Sequence, residues 1–269
     1  MQNQIKNNYT LDEQKWNQWL AGLIDGDGYL TIQKNNVAIC EITMPLDDQP
    51  LLEKIKGVLG GNIKPRNGYR AVRYRLGHQE GMKNLINRLN GNIRNTIRIP
   101  QFKKICRHFN IEFISAPSLT NKNSYTSGFF DADGSIYISV SKSSSQNSTL
   151  IGVNGKIKRL SESRGFHQLG IEISNKYQEN LIIFQQAFGF GNIRLINKGK
   201  KSFYIYKIKL SDLPDFEQYI REFSLHSVKM KRFLLLKEYF YLKEMKAHLA
   251  EKDTILNKRW VKFCKNWYL

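Results

Sequence analysis

The sequence predicts an α+β fold made of two copies of one design, each reading helix, strand pair, helix, strand pair, helix. The first ground is an internal repeat. "WLAGLIDGDGYLTI" (residues 19–32) is answered by "YTSGFFDADGSIYISV" (125–140) at an offset of 106, which matches Gly22 with Gly128, Asp25 with Asp131, Asp27 with Asp133 and Gly28 with Gly134. "LGGNIKP" (59–65) and "IRIPQF" (97–102) are echoed in order by "FGNIRLI" (190–196) and "VKMKRF" (228–233), now at offsets of 130 and 131. The second ground is a switch between helical and two-residue apolar spacing that takes the same order in both halves.

Taken in order, Thr10-Leu11-Asp12-Glu13 has the form of a capping box, and Trp19, Leu20, Leu23 and Ile24 recur at helical spacing, which predicts a helix from about Leu11 to Gly26. Alternating "YLTIQ" and "VAICEITM" follow as strands, then a helix "PLLEKIKGVLG", strands "GNIKPR" and "AVRYRLG", and helices "MKNLINRLN" and "IPQFKKICRHF". The second half repeats this with "SIYISV", "QLGIEIS", "ENLIIFQQAFG", "SFYIYKIKL" and "FEQYIREF", and ends in "VKMKRFLLLKEYFYLKEMKAHLA". The change of offset means about 24 extra residues, which fall most naturally in "SKSSSQNSTLIGVNGKIKRLSESRG", read as a polar loop joining two strands. Pro117 lies in a linker at 115–124, so the expected organisation is a first repeat over 1–114 and a second over 125–269.

Composition narrows the function. Lys and Arg total 42 against 23 Asp and Glu, a net charge of +19, with 12% aromatics among the basic residues. That balance suits a polyanionic partner, and a basic but ordinary enzyme is the alternative reading. Cys40, Cys106 and Cys264 are scattered, and the five histidines form no His-x-x-x-His pair, so neither a disulfide framework nor a zinc site is supported. The N-terminus has no apolar signal core and no apolar run is long enough to span a membrane, which predicts a soluble intracellular protein. Richness in Asn, Lys and Ile suits an A+T-rich gene such as those of organelles.

The repeated motif ends a helix on carboxylates. The C-terminal turn of a helix carries partial negative charge, so an acid there is repelled unless something positive is close. Gly22 with Gly26, and Gly128 with Ala132, put small residues four apart, which lets two helix backbones approach closely. Crossing at the symmetry axis, the two helices would bring Asp27 and Asp133 together at one end, an arrangement suited to hard divalent cations such as Mg²⁺. Read singly, each Asp-Gly is a turn closing a helix; the matched copies weigh against that. An EF-hand fails, because Leu30 stands where its loop needs glycine and Asn36 where it needs glutamate.

"LAGLIDGDG" and the degenerate "TSGFFDADG" resemble the two signature motifs of the LAGLIDADG homing endonucleases in their single-chain form, and the resemblance covers nearly the whole chain. It implies αββαββα repeats whose antiparallel sheets form a DNA-binding saddle, with the motif helices packed at the repeat interface. It implies a monomer that cuts double-stranded DNA with Mg²⁺, in sites that Mn²⁺ or Ca²⁺ can also occupy. Asp27 and Asp133 are then the catalytic metal ligands, the carbonyls of Gly26 and Ala132 complete the metal shell, and Asp25 and Asp131 are structural. The resemblance also implies that a polar residue after the second strand orders water, a place that Asn175 fills while its counterpart is Met44. A basic residue of the late helix faces the scissile phosphates, for which the repeat alignment offers Lys229 and Arg98; a solvated charge is the alternative for each.

Residues two apart on a strand share a face, so base readout is assigned to Thr31, Gln33, Asn35, Glu41, Arg73 and Arg75 in the first half. In the second half it falls to Tyr137, Ser139, Glu172, Lys207 and Lys209, with Arg66 and Arg194 following the Gly-Asn-Ile turns. Ile32, Ile42, Val72, Tyr74 and Leu76 would pack inward. The competing readings are an RNA-binding intron maturase on the same fold, which would make intron RNA a partner, and a DNA-binding regulator that does not cut.

Overall fold

Thr10 opens the first helix as its sequence demands. A computed structural model of the chain describes residues 9–140 and 151–268. In it the Glu13 N–H donates to Thr10 Oγ1 at 3.2 Å and the Thr10 N–H donates to Glu13 Oε2 at 3.0 Å, the reciprocal bonds of a capping box. Helix α1 runs Leu11–Asp27 and is buried from Trp19 to Asp25. It packs along α5 (Tyr125–Asp133), the second motif.

Small residues set the separation of these two helices. A Cβ on Gly22 would overlap Tyr125 O and Phe129 N, and a Cβ on Gly128 would overlap Trp19 O and press on Leu23 N. Trp19 matches Tyr125 and Leu23 matches Phe129 at the offset of 106, so the contact has two-fold symmetry. Further along, a Cβ on Gly26 would collide with Ala132 Cβ. Close approach is therefore a property of backbone against backbone, as the spacing of small residues predicts.

After α1 come β1 (Gly28–Ile32), β2 (Ala38–Pro45), α2 (Gln49–Leu59), β3 (Asn62–Pro65), β4 (Ala71–Leu76), α3 (Gln79–Leu89) and α4 (Arg98–His108). The strands form an antiparallel sheet in the order β1-β2-β4-β3. Its inner face, with Leu30, Cys40, Ile42, Met44, Val72, Tyr74 and Leu76, is buried together with the apolar stripes of the helices, such as Leu52 and Ile55 of α2 and Met82 and Ile86 of α3. The second half supplies β5 (Gly134–Val140), α6 (Gly152–Glu162), β6 (His167–Asn175), α7 (Glu179–Phe188), β7 (Asn192–Lys198), β8 (Lys201–Ile208), α8 (Leu213–Glu222), α9 (Lys229–Leu234), α10 (Leu236–Glu244) and α11 (Ile255–Tyr268). Its sheet order, β5-β6-β8-β7, repeats that of the first.

One expectation needs correction, and two further features were not assigned from the sequence. The extra segment of the second half is not all loop: Gly152–Glu162 is helix α6, with Leu160 buried, while residues 141–150 lie outside the described residues. Its Lys, Arg, Leu and Glu are good helix formers, and contact with α11 gives the helix a surface to bury against. The run 228–250 is broken into α9 and α10, then a short 3₁₀ turn over Ala247–Leu249 entered by Lys246 at φ +53°. Helix α11 was not foreseen, although Trp260, Phe263, Cys264 and Trp267 recur at i, i+3, i+4 and i+7 and are all buried.

Contacts divide the chain into two compact units, Met1–Ser135 with Glu172–Ser227, and Ile136–Ile171 with Val228–Leu269. The first holds the motif helices and an aromatic core in which Phe129 and Phe184 lie edge to face at 5.1 Å. In the second, Tyr239, Leu242, Trp260, Phe263 and Trp267 form the core. His167 is buried among them, its ring 5.3 Å from Trp260 and 5.0 Å from His248, and Tyr239 Oη donates to its carbonyl at 3.1 Å. Burial pushes His167 down to about 4, helped by the positive charge of Lys243.

Two outcomes follow for stability. Gly→Ala at an exposed helix position stabilises by about 1 kcal/mol, whereas Gly128→Ala is expected to destabilise by about 3 kcal/mol because backbone atoms cannot yield; denaturant midpoints give the sign. His167 has a folded pKa below its unfolded value of about 6.5, so its contribution is full above that pH and is lost as pH falls toward about 4. Melting followed from pH 7.5 to 4.5 should show this loss, and His167→Phe should flatten it; an unchanged slope rejects the assignment.

Candidate functional site

The C-terminal ends of α1 and α5 carry four carboxylates in two sorts. Asp25 and Asp131 point inward and are about 1% exposed. Asp25 Oδ2 accepts from the Arg94 N–H at 2.7 Å, the Asn95 N–H at 2.9 Å and Tyr125 Oη at 2.7 Å. Asp131 accepts from the His226 and Ser227 N–H groups at 2.8 and 3.0 Å, from Ser227 Oγ at 2.5 Å and from Trp19 Nε1 at 2.8 Å. Each therefore ties its helix to a later loop of its own half. Each also takes a hydrogen bond from the aromatic residue at the matched position of the other motif helix. Burial raises Asp25 to about 6, against those hydrogen bonds and the Arg98 charge. The structural role expected of this pair is met by these bonds.

Asp27 and Asp133 are the last residues of their helices and are only half-buried. The helices bring them to the same end: the position a Gly26 Cβ would take lies 3.7 Å from Asp133 Oδ2. The positive charge that this negative pole calls for is Arg98, at the start of α4. Its Nε donates to Ile24 O at 3.0 Å and its Nη2 to Gly26 O at 3.3 Å, so it caps α1. Burial lowers the basicity of Arg98, and the charges of Asp25, Asp133 and Asp27 act to restore it. Gln101, which the sequence reading passed over, accepts from Arg98 Nη1 at 3.4 Å and from the Leu30 N–H at 3.2 Å, fixing the guanidinium against the edge of β1.

Asn175 ends β6. Its Oδ1 accepts from the Tyr177 N–H at 3.1 Å and from Asn180 Nδ2 at 3.0 Å, and Asn180 Oδ1 accepts from the Thr96 N–H at 2.9 Å. Buried Asn180 thus links the end of β6 to the segment that leads into α4. Met44, its counterpart, is 2% exposed and belongs to the core. Lys229 opens α9 in the second unit. No group of three or more His, Cys, Asp or Glu side chains able to hold a metal occurs among the described residues, so a metal here depends on two carboxylates and backbone oxygen. No helix among them is long and apolar enough to cross a membrane.

The outer face of the first sheet is organised by its register. Directly opposed Cα partners share a face, which gives one row of Tyr29, Glu41, Arg75 and Asn62 and a second of Thr43, Arg73 and Lys64. Thr31 joins this face on β1. Arg73 and Arg75 straddle Glu41 at 3.6 and 3.5 Å, so both guanidinium groups leave the same side, as the alternation predicts. They border a concavity of about 900 Å³ that also includes Lys64 and Arg66, the latter 5.0 Å from the Tyr69 ring. Gln33 and Asn35 correct the expectation: they lie in the β1–β2 turn, where the Gln33 N–H donates to Val37 O, so strand alternation does not orient them. The same register adds Tyr29, Thr43, Asn62 and Lys64 to this face, which composition alone does not reveal.

In the second half Lys207 opposes Asn192, and Arg194 opposes Ile205, which puts both cations on one face of the β7–β8 pair. Lys209 lies beyond the end of β8. Glu172 sits in β6 and is half-buried. Tyr137 and Ser139 alternate on β5 with buried Ile136 and Ile138, and Ser139 Oγ donates to Gln168 O at 3.3 Å.

Comparison with known proteins accords with this arrangement. The family model for LAGLIDADG endonucleases matches residues 20–109 and 126–240, so each match contains one motif helix end. An intron-encoded RNA maturase bI4 of Saccharomyces cerevisiae is 41% identical over 94% of this chain and 36% of its own length. A probable intron-encoded endonuclease aI2 of Debaryomyces hansenii is 37% identical over 98% of this chain and 39% of its own. The chain spans about two fifths of the length of these two relatives. A solved structure of I-SmaMI bound to an uncleaved DNA target in the presence of calcium ions superimposes with a TM-score of 0.61 at 16% identity, covering 93% of this chain and 97% of that one, which shows a shared fold. With both motif copies inside the matched ranges, and the helices that bear them packed on one another, the chain belongs to the LAGLIDADG endonuclease family.

Proposed function

We propose that this chain is a site-specific homing endonuclease that hydrolyses one phosphodiester on each strand of a long, partly palindromic DNA target. The observation that supports the reading is that Asp27 and Asp133 end the packed helices α1 and α5, with Asp133 Oδ2 3.7 Å from the place of a Gly26 Cβ, where two helix poles disfavour negative charge. Within this reading the chain works as a monomer, with repeats over 1–114 and 125–269 joined by 115–124. The named relatives support an intron origin, and the Asn-, Lys- and Ile-rich composition supports an organelle gene.

The site fits hard divalent cations. Its donors are all oxygen, and the close approach of Gly26 to Ala132 sets the end of α1 beside Asp133 Oδ2. Mg²⁺ is the ion we assign, with Mn²⁺ or Ca²⁺ as substitutes; the calcium of the I-SmaMI structure supports divalent binding in this fold. Bound ions would supply Lewis acidity and a water of lowered pKa. Asp27 and Asp133 would hold and orient them, with the carbonyls of Gly26 and Ala132 alongside; Gly26 O accepts from Arg98 Nη2 at 3.3 Å. Water attacks phosphorus, the bond to the 3′ oxygen breaks, and that oxygen takes up a proton. Lys229 stabilises charge on the scissile phosphate, Arg98 holds the end of α1 in place, and Asn175, positioned by Asn180, orders water.

The outer faces of the sheets supply recognition. Arg73 and Arg75 suit guanine edges in the major groove, and Glu41 between them limits their side-chain freedom. Thr31, Gln33, Asn35, Tyr137, Ser139, Glu172, Arg194, Lys207 and Lys209 complete the assignment, with Arg66 on the backbone side. The RNA maturase among the relatives favours intron RNA as a second partner of the same chain.

Selection of cleaved sequences from a randomised duplex library in Mg²⁺ tests the activity and defines a substrate. On that substrate Asp27→Asn or Asp133→Asn should lower single-turnover cleavage by about 10³-fold while the duplex still binds. Ca²⁺ in place of Mg²⁺ should permit binding without efficient cutting, and chelator should stop cleavage; cutting that survives chelation refutes the metal mechanism. Arg75→Ala should cost roughly 1–3 kcal/mol at one or two base pairs. An even loss over all single-base variants, with a shallower salt dependence, would instead identify Arg75 as a phosphate contact.

A further inference from the structure

In the second unit, β5, α6, α9 and α11 enclose a concavity of about 310 Å³ that belongs to none of the assignments above except Tyr137. Its polar lining is Tyr137, Lys156, Arg159, Arg232 and Tyr268, with no carboxylate among the described residues. Arg232 is held from within: Nη1 donates to Ile136 O at 3.1 Å and Nε to Trp267 O at 3.3 Å, and its guanidinium carbon stands 5.9 Å from the Tyr268 ring. These partners are neutral, so its positive charge is not cancelled by a paired acid. Arg159 lies close enough for its charge to act on the Tyr268 phenol. Helix α11 extends the same character outward. Its apolar face fills the core, and its other face presents Lys258, Arg259, Lys262 and Lys265, with no acid anywhere in the helix.

Cations attract phosphate of any nucleic acid, and aromatic faces select bases that are free to leave a stack. A duplex keeps its bases paired, so a pocket lined by phenol rings is of little use to it. A concavity at the small end of ligand-site sizes suits a single unpaired nucleotide. The maturase relative, whose match covers 94% of this chain, supports RNA as the strand.

We propose that this concavity and the outer face of α11 bind single-stranded RNA, with phosphates on Lys156, Arg159 and the α11 lysines and an unpaired base against Tyr268. The proposal rests on the reading of intron RNA as a partner; the site shares no residue with the carboxylate pair and shares only Tyr137 with the DNA-facing assignment, so loss of cleavage does not bear on it.

The test uses the whole chain in chelator, with a labelled oligouridylate and a mixed-sequence duplex DNA as probes. K156E/R159E should weaken oligouridylate binding by roughly tenfold or more and duplex binding by less than about twofold. Tyr268→Ala should weaken the oligouridylate by at least about fivefold, and Tyr268→Phe should restore it. Equal losses on both probes would overturn the proposal by making this surface part of the DNA interface, and no loss on either would make the charges merely solvated. Photocrosslinking of the unaltered chain to an iodouridine-substituted oligouridylate avoids any question of variant folding. Crosslinks on the peptide that carries Tyr268 support the site, and crosslinks that spare it refute it.

Discussion

The close contact of the two motif helices governs the rest of the molecule. Gly22 and Gly128 remove the side chains that would hold α1 and α5 apart, and the backbones then meet at carbonyl oxygen and amide nitrogen. Packing at that distance is unforgiving, since backbone atoms cannot rotate away as a side chain can. Once α1 and α5 are fixed, the strands that leave their ends at Gly28 and Gly134 have fixed starting points, and both sheets grow in the same order from them.

Two carboxylates per motif then divide the work by burial alone. The one at position 25 or 131 is turned inward, where amide N–H groups and an aromatic donor from the opposite helix satisfy it. The one two residues later reaches the helix end and stays half-exposed. A spacing of two residues on a helix turns the chain through about 200°, which accounts for the opposite surroundings of neighbours so close in sequence. Arg98 completes the balance by giving α1 a cation at its negative pole, without which the cluster of acids would oppose the packing that creates it.

Much of this was legible in the sequence, because repetition and period are local signals. The helix from Leu11, the motif glycines, the four-strand halves and the outward alternation of Arg73 and Arg75 all follow from spacing. What escaped was tertiary. Gln33 and Asn35 carry on the alternation on paper, yet the chain has already turned at that point. Tyr29, Asn62 and Lys64 become neighbours of the arginines only through strand pairing. Gln101 matters through two hydrogen bonds to residues far away in sequence. The polar segment after β5 reads as loop until α11 provides a surface for α6, and the apolar period of α11 itself was present but unread.

The reciprocal bonds between the motif helices bear on how the two halves can change over time. Trp19 belongs to one half but satisfies Asp131 of the other, and Tyr125 returns the favour to Asp25. Any half put in place of either must supply both an aromatic donor and a buried acid that match those across the seam. Trp19 with Asp131, and Tyr125 with Asp25, therefore act as couples, and exchange of either half is constrained at these four positions.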